Sequence, residues 1–278
     1  MRTVLLPTDF TDNSYNAIGY ALQLFRNTKT KFILLNTLYN ADFIIYSSLY
    51  GVYKDNSIRN LSRFLKRIET EFPNNNHEYE LVSSFKMLHE EIRSRVATKS
   101  IDLIVMGTEG IGADSDLFFG THTVHAIKAA KCPLLAIPSQ SSYRDPKEIL
   151  FPNDLKLDFS QYDLGLLKSL ANEFKARVNI LNVSFGRDLS PAQENSRTAL
   201  EEYFKDNAAT FNRVSRDSVL EALQEYRKEF PVDLLVMIKN KHTFIEKLLF
   251  SSLVHEVAYY IKTPFLVLPS ESYKHQED

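Results

Sequence analysis

Three glycines and a threonine could together form a binding site for phosphate. Gly107 and Gly110 are separated by two residues, and Gly120 and Thr121 follow after a further nine. Glycine has no side chain to keep an anion away from backbone N–H groups, and a helix N-terminus adds unpaired N–H donors. Such glycines can also serve only to shape turns. Gly107 and Gly110 would follow a strand, and Gly120 and Thr121 would open a helix. These positions favour a phosphate site.

Short apolar segments precede the residues that could complete this site. Their length and continuous apolar character are typical of buried parallel strands. In a parallel sheet, ligands bind beyond the carboxyl ends of the strands, where the strand order reverses. Pro7, Thr8, Asp9 and Thr37 follow such segments, as Gly107 does. The strands predicted in the first half lie at residues 4–6, 32–36, 79–82, 103–106 and 134–137.

Helical patterns separate the predicted strands. Alternation of strands and helices implies right-handed crossovers and a parallel sheet covered by helices on both faces. The sequence therefore predicts an α/β fold. Thr11 or Asn13 could cap the first helix. The patterns of the first half lie near residues 17–25, 58–72, 87–99 and 124–127.

The second half of the chain repeats the first. Four apolar segments have later counterparts in the same order, at offsets of 145, 146, 131 and 131 residues. We therefore predict two tandem domains at residues 1–138 and 147–278, with residues 139–146 as the linker. The matched segments begin at Val4, Ile33, Asp102 and Cys132. The second-half helices are predicted near residues 160–174, 193–206, 218–229 and 253–261.

The composition disfavours several classes of protein. The net charge is −2, and 33 basic residues are spread without a basic block, which disfavours a nucleic-acid partner. No apolar run reaches the roughly 18 residues that a membrane span needs, and the apolar start is too short for a signal peptide. The single cysteine, Cys132, allows no internal disulfide. We therefore expect a cytoplasmic protein.

These residues and segments make the sequence similar to the universal stress protein family. The nucleotide signature of that family is a glycine, two residues, a glycine, nine residues, and a glycine with serine or threonine. Gly107, Gly110, Gly120 and Thr121 fit it, and LLPTDFTDNSYNAIGYAL and KCPLLAIP resemble the family's first strand-helix and last strand. The resemblance implies two five-stranded parallel-sheet domains of the adenine-nucleotide α-hydrolase-like type, related by a pseudo-twofold axis like the dimers of single-domain members.

The resemblance also implies that the first domain binds ATP, accompanied by Mg²⁺. The loop from Gly107 to Thr121 contains three acidic residues and no Lys or Arg, so the affinity would be modest or depend on the cation. The implied contacts are Pro7, Thr8 and Asp9 beside adenine and ribose, Thr37 at the adenine edge through its backbone, Met106, Gly107 and Gly110 along the ribose and first phosphates, and Gly120, Thr121 and His122 at the outer phosphates.

The second domain departs from the signature. A loop without glycines cannot approach phosphate closely, so we predict one nucleotide site and interpret residues 147–278 as a structural or regulatory copy. Lys239, Lys241 and His242 could still attract an anion or form a solvated surface. The signature residues correspond, in order, to Ile238, Lys241, Phe250 and Ser251.

The remaining chemistry-bearing residues predict neither a catalytic group nor a protein metal site. His122 and His125 lie three residues apart on one predicted helix, but no third metal ligand is evident nearby. Cys132 has no evident activating base, so we expect a buried thiol. An aromatic insertion at residues 40–56 is expected to form either a lid or partner contact, or a loop packed on its own domain.

Three functions remain open at this point: an ATP-binding stress-response or signalling module, a slow ATPase, and a structural tandem without nucleotide. The last strands of the domains, Leu134 to Ile137 and Phe265 to Leu268, are expected at sheet edges, where they would pair with each other. A homodimer or another protein partner is also left open.

Overall fold

The computed structural model describes residues 1–39, 49–98, 101–108, 121–156, 162–184, 186–239 and 263–269. They form two compact units that divide between Tyr143 and Arg144. Among these residues, no helix is both long and apolar enough to cross a membrane.

The first unit is a parallel sheet with the strand order β3-β2-β1-β4-β5. Thr11 caps the first helix, because its side chain accepts a hydrogen bond from the Ser14 N–H. The order reverses between β1 and β4, which lie side by side. The elements are β1 (Arg2–Pro7), α1 (Asp12–Leu24), β2 (Thr30–Thr37), α2 (Tyr50–Glu71), β3 (His77–Ser84), α3 (Leu88–Thr98), β4 (Leu103–Thr108), α4 (Thr121–Ala129) and β5 (Leu134–Pro138).

The second unit has the same design, with the strand order β10-β9-β6-β7-β8 and parallel neighbours throughout. The predicted α/β fold with two five-stranded parallel sheets is therefore confirmed. The helix predicted near 253–261 lies outside the described residues. The elements are β6 (Glu148–Pro152), α5 (Gly165–Phe174), β7 (Arg177–Val183), α6 (Pro191–Tyr203), β8 (Thr210–Val214), α7 (Val219–Glu229), β9 (Leu234–Ile238) and β10 (Phe265–Leu268).

The central strands are apolar because both of their faces are covered. Leu5, Ile104 and Leu150 have no accessible surface. With right-handed crossovers, successive helices lie on the same face of the sheet while the chain moves in one direction along it, and on the opposite face once that direction reverses. The chain moves in one direction from β1 through β2 to β3. Accordingly, α1 packs on α2 through Tyr15 and Phe64, whose ring centroids are 5.3 Å apart.

The repeat extends to single hydrogen bonds. The carboxylate of Asp102 accepts from the Thr3 N–H at 2.6 Å, and the Asp102 N–H donates to the Thr3 carbonyl at 2.9 Å. Asp233 makes the same pair of bonds with Glu148, at 2.9 and 2.8 Å. These aspartates therefore hold the start of each unit's first strand against its fourth.

The aromatic insertion lengthens a helix. Helix α2 ends three residues after the fully buried Ile68, and helix α6 ends three residues after the fully buried Leu200. The two helices differ in length, however, with 22 residues in α2 and 13 in α6. Residues 50–56 are therefore helical and exposed rather than part of a loop. The rest of the insertion, residues 40–48, lies outside the described residues, and its role as a lid or partner contact stays a prediction.

The predicted linker packs back on the first unit. The Asn16 amide donates to the carbonyls of Pro138 and Ser141 at 3.3 and 3.0 Å. Arg26 donates to the Tyr143 hydroxyl at 2.8 Å. Helix α1 therefore binds the segment that leaves β5.

Candidate functional site

The turn between β1 and α1 is held by its own side chains. The Thr8 hydroxyl accepts from the Phe10 N–H at 3.0 Å and shares a 2.9 Å hydrogen bond with the Ser14 hydroxyl. The Asp9 carboxylate accepts from the N–H and the hydroxyl of Thr11 at 3.1 and 2.6 Å. These bonds stabilise Phe10 at a φ of 66°, a conformation that a residue with a side chain rarely adopts.

Asp9 is an ionised acceptor at neutral pH. Partial burial acts to raise its pKa, but hydrogen bonds from Thr11 and Ser14 outweigh that effect and bring the pKa below the ordinary value. A carboxylate at this edge attracts a hydroxyl group or a cation and repels a phosphate.

The same turn occurs in the second unit. The Leu155 N–H donates to the Asn153 side chain at 2.7 Å, and the Lys156 N–H donates to Asp154 at 3.1 Å. Leu155 has a φ of 58°, close to that of Phe10. The turn is therefore part of the fold and does not by itself indicate a ligand.

Gly107, at the end of β4, has a structural reason to lack a side chain. A Cβ atom there would lie 2.7 Å from both Oδ1 and Nδ2 of Asn13 on α1. The Thr123 hydroxyl of α4 donates to the Gly107 carbonyl at 3.2 Å. The Asn13 carboxamide thus occupies the space that a side chain at position 107 would need, a contact that the sequence pattern did not indicate.

A buried polar chain supports the same edge of the sheet. The Asn36 amide, at the end of β2, donates to the Thr8 carbonyl at 2.8 Å. Its Oδ1 accepts from the Ser57 hydroxyl of α2 at 2.7 Å. Sequence reasoning missed this chain, although an asparagine within an otherwise apolar strand was a visible signal.

The sequence-predicted site residues lie at the carboxyl ends of three neighbouring strands. Strand β1 carries Pro7 and is followed by Thr8 and Asp9, while β2 ends at Thr37. Strand β4 carries Met106 and Gly107, and Met106 is almost fully buried at 6 % exposure. Two of the remaining residues follow the loop: Thr121 is the first residue of α4, and His122 is exposed on that helix. Gly110 and Gly120 lie outside the described residues.

The other candidate groups have ordinary surroundings. Cys132 is buried, and burial raises the pKa of its thiol to about 12, so the reactive thiolate is disfavoured. His125 packs edge-on against His89 of α3, with ring centroids 5.8 Å apart. Within the described ranges, no group of three or more His, Cys, Asp or Glu residues could hold a metal ion.

Comparisons with known proteins agree with this architecture. Residues 1–138 match the sequence model of the "Universal stress protein family". No curated protein sequence matches the chain.

Several solved structures resemble the whole chain. A universal stress protein from Archaeoglobus fulgidus DSM 4304 has a TM-score of 0.65 at 15 % identity, covering 96 % of this chain and 98 % of its own. A protein described as a putative universal stress protein, from Pseudomonas aeruginosa UCBPP-PA14, has a TM-score of 0.62 at 14 % identity, covering 97 % and 93 %. The cytoplasmic domain of a prokaryotic cation chloride cotransporter reaches 0.55 at 13 % identity, covering 97 % and 96 %. At these identities the likeness shows a common fold.

Proposed function

The chain belongs to the universal stress protein family, with a match over residues 1–138, and from this premise we propose that its first unit binds ATP together with Mg²⁺. In this proposal the protein is a stress-response or signalling module, and nucleotide occupancy changes its shape or its contacts with partners. The contacts are those predicted from the sequence, including Gly110, Gly120, Thr121 and His122.

One observation carries the proposal. Strand order in the first unit reverses between β1 and β4, and ligands of open α/β sheets bind beyond the carboxyl ends of the strands at such a reversal. The Asp9 turn follows β1, and Gly107 ends β4. Chain topology thus supports the proposal by bringing the Asp9 turn and Gly107 to the same edge of the sheet.

The charges at this edge fit a cation-assisted site. The loop between Gly107 and Thr121 contains three acidic residues and has no Lys or Arg to neutralise phosphate. Mg²⁺ prefers oxygen ligands and commonly bridges carboxylates and phosphates. The residues present therefore fit a Mg²⁺–nucleotide complex better than a free triphosphate, and nucleotide affinity should require the cation.

A single site is proposed because the second unit lacks the glycines. At the position of Gly107 it has Ile238, which is buried at 4 % exposure. At the position of Gly120 it has Phe250. Bulky side chains at both positions would keep an anion from the backbone N–H groups.

The experiment that tests the proposal begins with denaturing the purified protein and identifying any released nucleotide by chromatography. The emptied protein is then titrated with ATP, with and without Mg²⁺, by calorimetry. We expect one ATP per chain in Mg²⁺ and none in Gly120→Phe, which copies the second unit into the first. The matched control is Phe250→Ala in the second unit, which should keep the single site. Absence of binding by the unmodified protein would leave a structural tandem, and steady phosphate release would indicate an ATPase.

A further inference from the structure

One side-chain amide at the proposed site has no hydrogen-bond partner. The Oδ1 atom of Asn13 is buried and unpaired, although Asn13 as a whole is half-buried. Its carboxamide lies against Gly107, at the reversal of strand order between β1 and β4. Asn13 does not cap helix α1, because Thr11 does.

Three other asparagines of this unit have side-chain amides that are bonded within the chain. Asn16 donates to the carbonyls that follow β5, and Asn36 joins the buried polar chain beside Thr8. Asn74 donates to the Arg26 carbonyl at 2.8 Å. Buried polar atoms in folded proteins are almost always paired, so an unpaired acceptor at the edge where a nucleotide is proposed is a position at which that ligand can supply the missing partner.

The chemistry of the neighbouring groups identifies the partner. Asp9, in the turn after β1, and Asn13, the second residue of α1, lie four residues apart and both offer acceptor oxygens. A phosphate oxygen only accepts and is repelled by Asp9, and the ring nitrogens of adenine also accept, which leaves its single amino group as the donor of the base. A sugar diol presents two O–H donors.

We propose that Asn13 binds a ribose hydroxyl of the nucleotide and makes the site selective for ribonucleotides over deoxyribonucleotides. This inference rests on the proposed ATP function and adds a specificity-determining residue to it. Gly107 contributes to this selectivity, since a side chain at position 107 would displace the Asn13 carboxamide.

The test measures dissociation constants by calorimetry in Mg²⁺ for ATP, 2′-deoxy-ATP, 3′-deoxy-ATP and inosine triphosphate. The unmodified protein should bind ATP about tenfold more tightly than at least one deoxy analogue, because that analogue leaves a buried acceptor unpaired. In Asn13→Ala the affinity for ATP should fall about tenfold while that for the discriminated analogue changes little. The preference for ATP over the analogue then disappears.

The matched control is Asn16→Ala, which removes a carboxamide already bonded within the chain. It should lower thermal stability and keep the preference for ribose. Equal weakening of ATP and both deoxy analogues by Asn13→Ala would overturn the inference and leave ATP binding intact. So would loss of the preference for ATP over inosine triphosphate alone, which would assign Asn13 to the base. No binding of any nucleotide by the unmodified protein would refute the proposed function itself.

Discussion

The two units share their fold and differ at one edge of the sheet. Both have the turn with a left-handed residue after the first strand, at Phe10 and at Leu155. They differ at the end of the fourth strand, where Gly107 faces Asn13 and Ile238 fills the corresponding position. Features that occur in both units belong to the fold, so the unshared features must explain why only the first unit is proposed to bind a nucleotide.

A second difference lies in the buried polar chain. The amides of Asn36 and Asn182 each donate to the carbonyl that follows the first strand, at 2.8 and 3.0 Å. The Oδ1 of Asn36 accepts from Ser57, whereas the Oδ1 of Asn182 is buried without a partner. The extra turns of α2 therefore complete in the first unit a hydrogen-bond chain that the second unit leaves open.

The largest effect is expected from making the first unit like the second at β4. Gly107→Ile would place side-chain atoms on the Asn13 carboxamide and should lower the free energy of unfolding by about 2 kcal/mol. In an Asn13→Ala background, Gly107→Ile should lower the free energy of unfolding by less, since the Asn13 carboxamide no longer occupies the space that the new side chain needs. Urea denaturation of the two single variants and the double variant measures the coupling. Equal costs in both backgrounds would show that Asn13 is not what requires a glycine.

A smaller effect is expected from opening the polar chain of the first unit. Ser57→Ala leaves the buried Asn36 Oδ1 unpaired and should cost about 1–2 kcal/mol of unfolding free energy. The control on the same helix is Ser62→Ala, whose hydroxyl bonds only to the Ile58 carbonyl four residues earlier, and it should be nearly neutral. A neutral result for Ser57→Ala would mean that the first unit tolerates the unpaired amide as the second does.

The third prediction concerns pH and again separates the units. His77 is buried, and burial lowers the pKa of its ring despite a 3.2 Å hydrogen bond to the Phe25 carbonyl. Its Nδ1 has no partner. At the corresponding position, offset by 130 residues, the second unit has Asn207, which does not titrate and whose amide donates to Asn172 at 2.6 Å.

Acid should therefore weaken the first unit through His77. In the unfolded chain an ordinary histidine takes up a proton near pH 6.5, while the folded chain does so only at a lower pH. Below pH 6.5 the unfolded state binds more protons, so the free energy of unfolding falls as the pH falls. The decrease is at most about 1.4 kcal/mol for each pH unit and ends when the pH reaches the pKa of His77 in the folded chain. The difference between the protein and His77→Asn in denaturation from pH 7.5 to 5 isolates this effect. Parallel pH profiles would contradict it.

The sequence alone determined the order of the elements, the tandem repeat and the unequal glycine signature. These are properties of neighbouring residues: apolar runs mark buried strands, helical spacing marks the helices, and a glycine present at 107 and absent at 238 can be read directly. The sequence also showed a long insertion in the first half but not that residues 50–56 continue a helix, since the buried helical stripe of α2 begins only after them.

The tertiary structure decided which side chains meet. Asn13 and Gly107 lie 94 residues apart in the chain, and Asn36 and Ser57 belong to different elements, so neither contact follows from local pattern. Each depends on strand order and helix packing, because parallel strands joined by crossovers bring distant residues to one edge. The sequence could thus identify where a nucleotide site belongs, while only packing shows that a buried, unpaired amide stands beside it.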